Sequence, residues 1–265
     1  MPEYMPPIRS YPRYCWRVAA KWLSFLVFGA GTLGLIFLVF PVQRLFSRTA
    51  EDFKRRGRRT ITAGFRFLVG FMDLLGVARL ETADREAFGR LRGKILVANH
   101  PSLLDIVMLV SLIPNADCIV NAALLRNLVQ GVIKQLYIPN SLNFEELSAR
   151  CAGSLAQGNC LVIFPEGTRT PRSGPIRVQK GAARLSLLTG RPVVPVRIGG
   201  NDKWGLGKKD PWTAYNHTET YRYELCMLEE ISPETYAGLP CQGAAKQMNE
   251  KIKEALFRPL GREIR

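Results

Sequence analysis

The sequence predicts an α/β fold, a mostly parallel central sheet flanked by helices, with a membrane-anchoring helical segment ahead of it. Three observations carry that expectation. From about residue 90, short β-rich runs alternate with helix-like ones, the pattern of βα units whose strands lie parallel and buried. Residues 22–40 form a 19-residue run without a charge. The 265-residue chain is 47% hydrophobic and 22% charged, which supplies a sizeable core and excludes a disordered tail, a collagen-like repeat or a disulfide-stapled mini-protein.

The N-terminal quarter comes first. WLSFLVFGAGTLGLIFLVF (22–40) would cover about 28 Å as a helix, roughly one hydrocarbon core. A signal peptide is the competing reading, because Arg13, Arg17 and Lys21 precede the run. The run is long for such a segment, however, and FPVQRLF offers no small-residue cleavage site, so an uncleaved anchor is expected. A buried helix of a soluble core is the third reading. Gly29, Gly31 and Gly34 are candidate helix-packing points or a kink. Seven basic residues follow the run within residues 41–60 (Arg44, Arg48, Lys54, Arg55, Arg56, Arg58, Arg59) and four precede it. The positive-inside rule then favours a cytoplasmic C-terminal portion at the cell (inner) membrane. In the next segment Arg59, Arg66 and Asp73 recur every seven residues on one helical face, with Phe65, Leu68, Phe71, Met72 and Leu75 around the rest. That reads as an interfacial or docking helix, or as a core-packing helix of the following domain. The expected division is therefore residues 1–80 for membrane attachment and residues 81–265 for an α/β domain.

Along the second portion, KILVANH is strand-like, PSLLDIVMLVSLI helical, DCIVNA extended, LLRNLVQGVIKQL helical and LYIPN extended,. Asn143 with Glu146 three residues on is a capping-box-like start for FEELSARCAGSLAQ, and Gly158 a stop,. CLVIF then reads as a strand, KGAARLSLLTG as a helix closed by Gly190, and VVPVRIG as a strand. After a polar loop at 200–217, TETYRYELCML alternates like a half-exposed strand, and 241–258 reads as a terminal helix,. The six cysteines form no CxxC pair and no Cys/His ligand cluster; free thiols in a reducing compartment and no metal are expected.

The formal net charge is +15, from 37 Lys/Arg and 22 Asp/Glu. Residues 1–60 hold 11 basic and 3 acidic residues, a surplus of 8. Such a total suggests nucleic acid, but the charge clusters beside an apolar run and no basic–aromatic recognition motif occurs, so no nucleic-acid partner is expected. A lipid bilayer is the partner that its position suggests.

Of the two histidines, His217 sits in a polar loop and is expected to be solvated. His100 ends a predicted strand in NHPSLLD, with Pro101 placed to open a helix and Asp105 one turn inside it,. In one continuous helix the two side chains would face different ways, so they meet only if His100 precedes the helix, as Pro101 favours. Asp105 would then fix the imidazole tautomer and leave the other nitrogen as a general base; a capping or core histidine is the competing reading. FPEGTR (164–169) follows the strand CLVIF, hence lies at a strand's C-terminal end, where open α/β sheets place their sites. A Pro-Glu-Gly turn exposes backbone N–H groups, and Arg169 adds a planar donor for phosphate or carboxylate.

The pair NHPSLLD and FPEGTR, about 60 residues apart and followed by VVPVRI (193–198), resembles the glycerolipid or lysophospholipid acyltransferases (1-acyl-sn-glycerol-3-phosphate acyltransferase-like), whose hallmark is NHxxxxD followed by FPEGTR. The resemblance covers about residues 90–200. It implies transfer of a fatty acyl group from acyl-CoA or acyl carrier protein, as co-substrate, to a hydroxyl of a lysophospholipid-like acceptor, with no resident cofactor or metal. By matching position it makes His100 the base and Asp105 its orienter, and has Glu166, Gly167, Thr168 and Arg169 bind substrate. One block departs. Phosphoglycerol-using members commonly carry Gly-x-x-Phe-Ile-x-Arg between the motifs, and here GVIKQLYIPNS has no Arg. Lys134 or Arg177 could substitute. A non-glycerophosphate acceptor, such as a lyso-ornithine lipid or an aryl-polyene-type carrier, stays open, as does a non-catalytic membrane scaffold of this fold.

Overall fold

The computed structural model describes residues 8–120, 137–139, 141–211 and 214–258. The second helical run expected after residue 90 (124–136, including Lys134) and Asn140 lie outside the described residues.

Helix α1 (Tyr11–Gly34) continues through a π-helical turn (Leu35–Val39) into α2 (Phe40–Leu45), and α3 (Ala50–Leu74) returns alongside. A single apolar helix long enough to cross a bilayer, Tyr11–Leu45, is therefore present among the described residues. The three glycines of α1 face open space among the described residues; the helix widens into its π turn directly after Gly34,. Thr49 starts α3 by accepting from the Asp52 N–H at 3.0 Å,. The two helices meet along their length through Phe40–Phe53 and Phe28–Phe65 ring contacts and a Gln43–Thr60 hydrogen bond of 2.6 Å.

The other face of α3 buries Phe53, Ile61, Leu68 and Met72. This helix thus packs on the core along one side, while Phe67 and Leu74 remain exposed.

Seven strands follow: β1 (Ala78–Glu81), β2 (Ile95–Ala98), β3 (Ala116–Val120), β4 (Ile138–Pro139), β5 (Cys160–Ile163), β6 (Val193–Gly199) and β7 (Tyr221–Met227). They order as β1-β7-β6-β2-β5-β3-β4. Every described pair is parallel except β6–β7. The sheet is thus mostly parallel, as the alternation of segments predicts. Strand β1 and helix α4 (Arg85–Arg90) have no counterpart in the sequence reading, because four residues of ARLE are too few for a period to show.

Period-two side chains divide the core in two. Leu96 and Ala98 of β2 face a layer with Phe53, Leu68 and Met72 of α3 and Met108 and Leu109 of α5 (Asp105–Leu112). Ile95 and Val97 face the opposite layer. That layer is built by α6 (Phe144–Ala156), α7 (Gly181–Thr189) and α8 (Cys241–Phe257). Asn143 caps α6 by accepting from the Glu146 N–H at 2.8 Å, and Gly190 ends α7 at φ 64°, a left-handed conformation that only glycine adopts without strain,.

A buried ion pair ties the N-terminal helices to the sheet. The Arg58 guanidinium donates to both Asp117 oxygens at 2.6 and 2.9 Å, and the Ser154 hydroxyl also donates to Asp117. His217, expected in solvent, is instead buried with its ring edge-on to Tyr14. The reason is that the basic start of α1 docks there: Lys21 donates to the Ala214 carbonyl and lies over the Tyr215 ring. All six cysteines are free thiols.

Candidate active site

Strands β2 and β5 are neighbours, with Val97 paired to Ile163, so the two loops leaving their C-terminal ends lie side by side. One carries His100 and Asp105, the other 164–170. Helix α5 begins at Asp105 rather than at Pro101. Residues 101–104 form a turn that Asp105 itself holds, accepting from the Ser102 N–H at 2.7 Å and the Ser102 hydroxyl at 2.6 Å. His100 precedes the helix, as Pro101 suggests, and its Nδ1 lies 2.8 Å from Asp105 Oδ2.

The Asp105 carboxylate is 0% exposed and the His100 side chain 19%. With both Ser102 donors directed at it, Asp105 is left as an acceptor towards the imidazole, so the ring proton sits on Nδ1 and Nε2 is free. Because Ser102 spends its proton on Asp105, it must accept from the buried Tyr223 hydroxyl at 2.8 Å. A one-way chain from Tyr223 through Ser102 and Asp105 to His100 results. Lys203 lies over the Tyr223 ring at 4.7 Å; burial lowers its ammonium to about 8, opposed by the nearby Asp105 charge.

The 164–170 loop grips His100 from behind. Phe164 stacks on the imidazole, with centroids 4.1 Å apart and planes at 17°. Glu166 Oε1 accepts from the His100 backbone N–H at 3.0 Å and the Thr170 hydroxyl at 2.7 Å, and the Thr170 N–H donates to the His100 carbonyl at 2.6 Å. Glu166 is buried, its Oε2 has no hydrogen-bond partner among the described residues, and desolvation raises its carboxyl above the usual range. Glu166 therefore stands behind the histidine and is not among the described residues that line the cleft. Gly167 turns the chain at φ 64°, where a Cβ would come 2.7 Å from Gln179 Nε2. Arg169 donates through Nη1 to the carbonyls of Leu206 and Gly207 at 3.0 and 2.8 Å, which fastens the loop to residues 200–211.

A cleft of about 800 Å³ opens beside His100, lined by Phe164, Gly167, Thr168 and apolar residues of α5, α6 and α7. A second, almost wholly apolar cavity of about 240 Å³ lies between α1, α3 and the 100–105 loop, against Phe25, Phe65, Leu103 and Ile106. The structure thus brings His100, Asp105, Gly167 and Thr168 to one place, with Glu166 bonded to the His100 backbone and Arg169 Nη1 to the 206–207 carbonyls. Sequence reasoning missed Ser102, Thr170 and Tyr223. Ser102 and Thr170 are adjacent to the motifs, whereas Tyr223 arrives from a strand 121 positions from Ser102 and had no local signal.

Residues 79–199 match the family model described as Acyltransferase. A putative 1-acyl-sn-glycerol-3-phosphate acyltransferase of Caenorhabditis elegans is 31% identical over 111 residues, 38% of this chain and 39% of that protein. A chloroplastic 1-acyl-sn-glycerol-3-phosphate acyltransferase of Brassica napus is 29% identical over 140 residues, 49% of this chain and 38% of its own. The chain spans about two fifths of the length of the curated relatives it matches. The crystal structure of the 1-acyl-sn-glycerophosphate acyltransferase PlsC from Thermotoga maritima shares the fold, with a TM-score of 0.65 and 21% identity over 91% of this chain and 97% of that one. Both motifs lie inside the segment that matches the Acyltransferase model, so residues 79–199 form an acyltransferase-type domain similar in sequence to the 1-acyl-sn-glycerol-3-phosphate acyltransferases named above.

Proposed function

We propose that the protein is a membrane-attached O-acyltransferase that moves a fatty acyl group from acyl-CoA or acyl carrier protein to the hydroxyl of a lysophosphatidate-type acceptor. The observation that carries this reading is the 2.8 Å contact of His100 Nδ1 with a fully buried Asp105, at the edge of a cleft with a mostly apolar lining. In this reading His100 Nε2 takes the acceptor's hydroxyl proton as its oxygen attacks the thioester carbonyl. The tetrahedral intermediate collapses by breaking the C–S bond, and the imidazolium returns the proton to the departing thiolate. A thioester is already activated, so positioning and one base suffice, with no resident cofactor or metal in the scheme. Asp105 stabilises the imidazolium, Gly167 and Thr168 touch substrate from the cleft wall, and Glu166 and Arg169 hold their loop in place.

The test is thiol release from acyl-CoA in the presence of lysophosphatidate. Wild type should turn over and His100→Ala, folded to the same degree, should not; equal rates in the two would refute the mechanism.

In the same reading residues 1–80 attach the protein to the cytoplasmic face of the cell membrane and residues 81–265 carry the chemistry, the two parts sharing strand β1. Helix α3, with Lys54, Arg55, Arg56 and Arg59 on its surface, runs beside the apolar stretch of α1 and α2. A full crossing would take these charges along, at about 2.5–3.5 kcal/mol each near the bilayer centre. The hairpin therefore enters one leaflet, with its arginines at anionic headgroups, each contributing about 1 kcal/mol. Phe37 and Leu38 at the π turn are 58% and 69% exposed. Replacing both with Glu should abolish co-sedimentation with anionic vesicles; undiminished binding would refute this attachment.

A further inference from the structure

The sequence leaves one requirement open: the family block that commonly supplies a second phosphate-binding arginine has none here, and the structure commits Arg169 Nη1 to the carbonyls of Leu206 and Gly207. Resting on the acyltransferase reading above, we infer that Lys180 and Arg184 form the phosphate-recognition site of this cleft. Both line it together with His100, Gly167 and Thr168, and no carboxylate is among the described lining residues. Arg177, the other candidate suggested by sequence, is exposed but does not line the cleft.

The two cations lie four positions apart, joined by the Arg184 N–H to Lys180 carbonyl bond of 3.0 Å, hence on one helical face. Both side chains are exposed, and neither makes an ion pair with another described residue. Their placement is unfavourable in an empty protein. Like charges four apart repel, and Lys180 at the N-cap and Arg184 in the first turn of α7 oppose the positive end of the helix dipole. A phosphate group relieves both terms at once. An apolar cleft bearing two unneutralised cations beside a base matches an amphiphile with an anionic end. Guanidinium and phosphate suit each other geometrically, since two parallel N–H donors meet two oxygens.

Two substrates carry such a group, the lysophosphatidate headgroup and the phosphates of CoA, and binding measurements on the full-length protein in detergent separate them. Wild type, Lys180→Ala and Arg184→Ala are titrated with lysophosphatidate and with its phosphate-free counterpart 1-acylglycerol, then with CoA and with pantetheine. The expected result is a preference for one phosphate-bearing ligand over its phosphate-free partner that falls about 10- to 100-fold in Arg184→Ala, while the phosphate-free partner binds as before. Partial recovery in Arg184→Lys is expected. Loss of the lysophosphatidate preference assigns the site to the acceptor, and loss of the CoA preference assigns it to the donor. If both preferences survive both substitutions, or wild type has neither, the inference is overturned. Unchanged 1-acylglycerol or pantetheine binding reports that the variant is folded, and Arg184→Gln repeats the test with less lost volume. The readout needs no turnover. Acyl transfer assayed alongside therefore distinguishes failure of the enzymatic reading from failure of this site.

Discussion

Asp105→Asn isolates the electrostatic contribution of the histidine–carboxylate pair from its shape. The amide can keep its oxygen at the Oδ2 position, 2.8 Å from His100 Nδ1 and 2.7 Å from the Ser102 N–H. Its NH2 then faces the Ser102 hydroxyl, which rotates to accept and turns its own proton towards Tyr223. Geometry and tautomer survive, and what disappears is the negative charge beside the imidazolium formed during proton abstraction. Two unit charges about 4 Å apart interact by about 4 kcal/mol at an effective dielectric near 20. Part of that is recovered by reorientation of neighbouring dipoles. At about 1.4 kcal/mol per factor of ten, kcat should fall about 100- to 1,000-fold with KM little changed. Thiol release from acyl-CoA with saturating lysophosphatidate, on protein whose thermal unfolding is unchanged, is the assay. A kcat within about threefold of wild type would refute the claim that Asp105 acts through charge on His100.

Three further outcomes follow from the geometry. Lys203 has its ammonium lowered from 10.5 to about 8 by burial, so between those values the unfolded chain binds more protons than the native one, and stability must rise with pH across that window. Denaturation at pH 7.5 and 10.5 should show a gain on the order of 3 kcal/mol, which Lys203→Met abolishes; an equal gain in the variant would exclude this cause. Arg58→Met strands the buried Asp117 carboxylate and should cost about 3–5 kcal/mol by urea unfolding, whereas the double change Arg58→Met with Asp117→Leu should recover most of it; a double variant as unstable as the single would contradict the reading. Glu166 has a raised carboxyl, so its native form holds the proton more firmly than the unfolded form, and its contribution to stability falls as pH rises above about 4.5,. Glu166→Gln keeps the acceptor for the His100 N–H and should unfold no more easily than wild type at pH 8, while Glu166→Ala leaves that N–H only the longer 3.2 Å bond to the Thr170 hydroxyl and removes that hydroxyl's own acceptor, and should lose about 1–3 kcal/mol; Gln as harmful as Ala would show that the charge itself is needed.

The order of the described strands and helices from residue 95 onwards was legible because a parallel sheet demands short apolar strands separated by helices, and two boundaries carry their own signal: Asn143 before α6 and Gly190 after α7. The reach of His100 to Asp105 was legible too, since proline restricts the residue before it and so separates the histidine from the helix. Where sequence reasoning fell short, the missing information was non-local. Nothing around Tyr223 marks it as a donor to the Ser102 hydroxyl, because the contact exists only once β7 has joined the sheet. The family resemblance makes Glu166 and Arg169 substrate contacts, and it carries no sign that the Glu166 carboxylate accepts from the His100 N–H, a bond between residues 66 positions apart.

The N-terminal segment divides in the same way. Its apolar run and basic flanks, and with them its suitability for a lipid surface, belong to the sequence alone, because length and charge placement are local properties. That α3 folds back along the run, that Arg58 leaves the headgroup side to pair with Asp117, and that Lys21 and His217 are buried were decided by tertiary structure. The reason is that burying a charge or an imidazole depends on partners that distant segments supply. Sequence thus determined the α/β architecture, the long apolar N-terminal helix and the His100–Asp105 pair. The tertiary structure decided which of the surrounding charges are spent inside the protein and which, Lys180 and Arg184 among them, are left facing the cleft.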